Sequence, residues 1–121
     1  MLMLPPSVRI FLAAQPVDLR RSFDRLAEAA RTIVREDPFS GHLFVFRNRS
    51  GDRLKVLFWD RSGFVIWYKR LEVGYFRLPP APEASGCVEM TAPDLALMLE
   101  GIDLAGAKRQ RRFVLNSVPN R

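Results

Sequence analysis

From Phe44 to Arg77 the chain interleaves cations with flat rings: Phe44, Phe46, Arg47, Arg49, Arg53, Lys55, Trp59, Trp67, Tyr68, Lys69, Arg70, Tyr75, Phe76 and Arg77. Arginine and lysine neutralise phosphates and aromatic rings stack on bases, so this mixture suits a nucleic-acid surface. The same residues have structural uses. Arginine covers aromatic faces in cation–π pairs, and cations shield wet sheet faces against aggregation. A second cationic run, Lys108-Arg109-Gln110-Arg111-Arg112, can neutralise phosphates without reading sequence, or simply act as a solubilising end.

Other chemistries lack their residues. His42 is the single histidine and Cys87 the single cysteine, so no customary zinc-ligand set can be assembled. Nucleophilic catalysis lacks a spare base, and nothing beside Cys87 in sequence would lower its pKa. Gly41, Gly51 and Gly63 are scattered turn glycines rather than a phosphate-cradling loop. Metal-dependent strand transfer needs clustered carboxylates, for which Asp18, Asp24, Asp52 and Asp60 are the candidates. Asp18 reads as a helix cap, Asp24 as a solvated helix residue, and Asp52 and Asp60 as turn residues. The expectation is therefore a protein with no catalytic residue, no metal and no cofactor.

The elements that would position the cations can be read from periodicity. Val8 to Leu12 reads as a strand, broken at Gln15-Pro16. Leu19, Phe23, Leu26, Ala27, Ala30, Ile33 and Val34 form one apolar stripe, so residues 18–35 read as a long helix capped by Asp18. From His42 the period becomes two. Strands are expected at Leu43–Arg47, Arg53–Trp59 and Phe64–Leu71, joined by turns at Ser50-Gly51-Asp52 and Asp60-Arg61-Ser62-Gly63. In the second strand Arg53, Lys55, Leu57 and Trp59 share a face. A short strand is expected within Val73–Leu78, then a loop at Pro79, Pro80 and Pro82, then a strand at Cys87–Met90. Thr91-Ala92-Pro93-Asp94 has the layout of a helix start, and Gly101 of its end. The fold class expected is α+β: an antiparallel β-meander of about 4–5 strands packed on one long helix, with a short C-terminal helix and one sheet face wet.

At 121 residues the chain is one domain, expected over 1–104, with 105–121 a basic, flexible tail. Its net charge of +6 is unevenly spread. Residues 42–77 carry eight cations against three acids, 78–104 five acids and no cation, and 105–121 five cations and no acid. Such bipolarity suits a polyanion or another charged partner. The lone cysteine points to a reducing compartment. The opening apolar run is too short for a signal peptide, and no stretch reaches the roughly 20 apolar residues of a membrane helix. A cytoplasmic protein, away from membranes, is expected.

Several motifs together resemble one known family. Pro38-Phe39-Ser40-Gly41-His42-Leu43-Phe44-Val45-Phe46-Arg47 is followed by Lys55-Val56-Leu57-Phe58-Trp59-Asp60, by Gly63-Phe64, and by Tyr68-Lys69-Arg70-Leu71-Glu72 with Gly74 and Phe76 beyond. These resemble the TnpB accessory protein of insertion-sequence family 66, the product of that element's second open reading frame. Asp18-Leu19-Arg20-Arg21-Ser22-Phe23-Asp24 is similar to a family segment with Met and Gly in place of Leu19 and Ser22. Leu99-Glu100-Gly101-Ile102-Asp103 is similar to its closing motif. The resemblance implies a bacterial protein encoded beside a larger transposase and needed for efficient transposition. It supplies no biochemical activity and says nothing of the basic tail.

Two functions remain open. In the first, Arg47, Arg49, Arg53, Lys55, Lys69, Arg70 and Arg77 hold DNA phosphates near the element ends, helped by Lys108, Arg109, Arg111 and Arg112, with Trp59 and Trp67 as stacking partners. In the second, the chain is an adaptor that docks on the transposase without touching DNA, anchored by Trp59, Trp67 and Tyr68. The expected partners are DNA, the transposase and the element's other accessory protein, with a homo-oligomer left open.

Overall fold

Short apolar runs, buried on both faces in the central strands, build a five-stranded sheet. Its strands are β1 (Ile10–Ala13), β2 (Leu43–Arg47), β3 (Arg53–Asp60), β4 (Gly63–Arg70) and β5 (Cys87–Met90), in the spatial order β4-β3-β2-β1-β5. The computed structural model describes residues 4–80, 85–100, 102–103 and 108–109. Gly101 and Pro82 lie outside the described residues, as do Arg111 and Arg112.

β2, β3 and β4 form the expected antiparallel meander, with Phe44 opposite Leu57 and Val56 opposite Trp67. The sheet as a whole is mixed, which corrects the all-antiparallel expectation. β1 runs parallel to β2, with Ile10 beside Leu43, and β5 pairs antiparallel with β1. The cause is the helix between β1 and β2. Its span carries the chain back to the starting end of the sheet, as a parallel crossover requires.

That helix is shorter than its apolar stripe. α1 covers Phe23–Ala29 and continues as a π-helical turn over Ala30–Val34. Asp18 does not cap it; Ser22 occupies the cap position without a side-chain bond. Asp18 instead accepts the Arg20 N–H at 3.0 Å, closing a local turn ahead of the helix. Phe23, on the predicted stripe, is 45% exposed because the helix has only just begun there. Arg35 ends the π turn in the left-handed region at φ 65° and donates its N–H to Ala30 O. The strand expected within Val73–Leu78 is a loop, fixed by the Phe76 N–H to Gly51 O bond at 2.8 Å.

α2 (Ala92–Leu99) starts as its sequence implies, with Thr91 Oγ1 accepting the Asp94 N–H at 3.2 Å. It covers the sheet face opposite α1, so that face is not left wet. On the α1 side Leu26, Ala30 and Val34 pack on Phe11, Phe44, Phe46 and Leu57. On the α2 side Leu95, Met98 and Leu99 pack on Ile10, Leu12, Val45, Leu54 and Val56. Each large apolar side chain removed from water here contributes about 1.5–3 kcal/mol. α2 stops short of the outer strand, leaving an apolar groove of about 470 Å³ lined by Val56, Phe58, Val65, Trp67, Leu95 and Leu99. A small ladder, β6 (Ile102–Asp103) with β7 (Lys108–Arg109), follows α2.

Candidate nucleic-acid interface

The β2–β3 turn is built around one asparagine. Asn48 Oδ1 accepts the N–H groups of Gly51 (2.9 Å) and Arg53 (3.1 Å), and its Nδ2 donates to Asp52 Oδ1 at 2.8 Å. Gly51 holds φ at 79°, a left-handed conformation that favours glycine. Beside this turn lies the loop after β1, tied to the sheet by the Val17 N–H to Arg47 O bond at 2.8 Å. Lys55 Nζ reaches across to donate to Arg21 O at 2.9 Å, fixing the chain just before α1.

Loop and turn border an open cleft of two adjoining hollows, about 340 and 480 Å³, which share Asp18, Leu19, Asn48 and Ser50. Arg49 lines the first; Arg20, Arg53 and Tyr68 line the second. All three arginines are exposed, and Arg53 Nη1 donates to the Tyr68 hydroxyl at 3.1 Å. Arg20 donates from Nη2 to Asp18 Oδ2 at 2.8 Å while its side chain stays 91% exposed. That hydrogen-bonded guanidinium lowers the Asp18 carboxyl to about 2. The cleft thus carries three guanidinium groups, with Asp18 paired to Arg20 and Asp52 held by Asn48.

The predicted cations do not form one surface. Arg49 and Arg53 meet at the cleft, with Lys55 just behind, its ammonium 4.9 Å from the Tyr68 ring centre. Lys69 lies on the opposite, α2-side face and donates to Leu99 O at 2.7 Å, capping the end of α2. Arg47 is half-buried and donates from Nη2 to Ala14 O at 3.2 Å. Its Nε is buried without a partner among the described residues, and burial pushes its pKa down. Arg70 pairs with Glu72 at 3.0 Å. Arg77 is exposed in the loop after β4. Lys108 and Arg109 form β7.

The tryptophans are divided as well. Trp59 is half-buried at the far end of β3, edge-on to Phe39 and Phe64 with ring centres 5.0 and 5.1 Å away. Trp67 stands on the other face beside the apolar groove, 37% exposed. The sequence pattern missed Arg20 as a site residue. Its signal was available: Asp18-Leu19-Arg20-Arg21 is part of a family-like motif, but the residue fell inside the span 18–35 read as helix.

The remaining reactive groups are engaged structurally. His42 Nδ1 accepts the Arg9 N–H at 2.9 Å. Burial pushes the Cys87 thiol up, and its Sγ lies 3.9 Å from Val34 O. Among the described residues no three or more His, Cys, Asp or Glu side chains gather as a metal site. No helix among them is long and apolar enough to cross a membrane.

Fold and cleft together define a small mixed-sheet α+β domain that presents arginines on a rigid turn. The chain belongs to the family described as IS66 Orf2 like protein, whose model matches residues 8–109. It is 37% identical over 110 residues to the uncharacterized protein y4jC of Sinorhizobium fredii, covering 89% of this chain and 92% of that one. It is 38% identical over 103 residues to the uncharacterized protein y4hO of the same organism, covering 84% and 88%. No solved structure matches the chain. Membership makes this an accessory protein associated with transposition.

Proposed function

We propose that the chain is a non-catalytic DNA-binding accessory factor that grips backbone phosphates at the Arg20–Arg49–Arg53 cleft while a separate transposase performs the strand chemistry. The observation that carries this reading is the convergence of three exposed guanidinium groups on a frame fixed by Asn48 and Lys55. Arg20 and Arg53, already held by Asp18 and the Tyr68 hydroxyl, lose less side-chain freedom on meeting phosphate. Lys55 and Tyr68 act as supports, and the run Lys108–Arg112 adds a grip without sequence preference. The mechanism is ionic: phosphates displace counterions, and orientation comes from where the arginines stand.

A polarisation titration against element-end DNA and a scrambled duplex at two salt concentrations tests it. Binding should weaken steeply with salt. The Arg20→Ala, Arg49→Ala, Arg53→Ala triple variant should lose about tenfold or more in affinity and shallow the salt slope by about 3. No binding at low salt would end the proposal.

The adaptor reading is supported by the apolar groove beside the exposed Trp67, a surface that phosphate contact does not explain. In that reading the chain docks on the transposase and leaves DNA alone. Co-purification with the transposase that is lost on Trp67→Ala but survives the triple arginine variant would favour it.

A further inference from the structure

β4 is the outer strand of the sheet, and its geometry shows which groups its free edge offers. Asp60 faces Gly63 across a two-residue turn, and the Leu71 N–H donates to Asp52 O at 2.8 Å at the other end of the hairpin. The alternation of an antiparallel ladder then turns the N–H and C=O of Val65, Trp67 and Lys69 toward β3, and those of Phe64, Ile66, Tyr68 and Arg70 outward. Among the described residues no backbone bond between elements reaches those four. Edges are usually blunted by proline, bulges or inward charges. Here Gly63 to Tyr68 contains no charge and no proline, and Val65, Trp67 and Tyr68 are exposed.

We infer that a second copy of this chain pairs with β4 edge to edge, antiparallel, across a two-fold axis at Ile66. Residues directly opposite in such a pair share a sheet face, which limits the choice of register. With Ile66 opposite Ile66 of the second copy, Val65 meets Trp67 and Phe64 meets Tyr68. Lys69 then meets Gly63, and Arg70 meets Ser62, whose turn carries both Asp60 and Arg61. Apolar groups face apolar groups, and no like charges stand opposite one another. Centring the axis on Trp67 instead sets Val65 against Lys69 and Phe64 against Arg70. Both registers engage the outward N–H and C=O groups, with about six hydrogen bonds in the Ile66 register, so the side-chain match decides between them. The two five-stranded sheets become one. An isologous contact of this kind closes on itself and does not propagate. The cleft arginines stand on other elements, but Tyr68 belongs to both the cleft and the seam, so the two readings meet at that side chain.

Sedimentation velocity on the full chain over a concentration series tests it. The mass should rise from 13.9 kDa toward twice that value as concentration increases. Edge pairing is a small interface, so a reversible equilibrium is expected. Val65→Lys should weaken dimerisation at least tenfold with unchanged circular dichroism. In a Cys87→Ser background, Ile66→Cys should crosslink to its own copy under mild oxidation more readily than Trp67→Cys. A monomer at every concentration, a dimer indifferent to Val65→Lys, or preferential crosslinking at Trp67→Cys would overturn the inference.

Discussion

Residue by residue, the cations differ in what they hold, and their substitutions should differ accordingly. Lys69 caps α2 through Leu99 O, so Lys69→Met should cost about 1–3 kcal/mol in denaturant unfolding and leave DNA affinity unchanged. Arg53 faces the cleft, so Arg53→Ala should weaken DNA binding with little effect on stability. The Asp18 carboxyl offers a pH test. Its lowered value means the folded state favours the charged form, chiefly through the Arg20 hydrogen bond. The contribution is therefore present above the ordinary carboxylate value of about 3.9 and is lost as pH falls through about 2. An NMR titration should place the Asp18 midpoint near 2, and Arg20→Ala should return it toward the ordinary value.

At the scale of elements, short apolar runs bounded by tight turns made β2, β3 and β4 legible to within a residue, because register in a hairpin is a local property. The parallel pairing of β1 with β2 was not legible, since it joins strands separated by the whole of α1. The start of α1 was misread because an aspartate four residues ahead of Ser22 satisfies a turn as readily as a cap. Lysine destinations were equally hidden. Nothing local shows that Lys55 ends on Arg21 O or Lys69 on Leu99 O, whereas Arg49 and Arg53 flank a turn the sequence displays. Two substitutions test the elements. Arg35 sits in the left-handed region that closes the π turn, so Arg35→Gly should stabilise by about 0.5–1 kcal/mol in thermal unfolding. A Cβ at Gly86 would collide with the Ile33 backbone carbonyl, so Gly86→Ala should destabilise by more than about 2 kcal/mol as the chain entering β5 is forced from the π turn.

Across the whole molecule the sheet separates two surfaces of different chemistry. One end carries the arginine cleft; the α2 side carries the apolar groove and the outer strand that borders it. Cations clustered in sequence are thereby sorted, some to the cleft and some to the framework. The claim that DNA lies in the cleft is tested most directly by mapping where DNA perturbs the amide and arginine Nε–H spectra of the isotope-labelled chain. The account predicts shifts concentrated at residues 16–21 and 48–53 and at Tyr68, fading as salt rises. Shifts confined to Val65, Trp67, Leu95 and Leu99, or none at low salt, would contradict it.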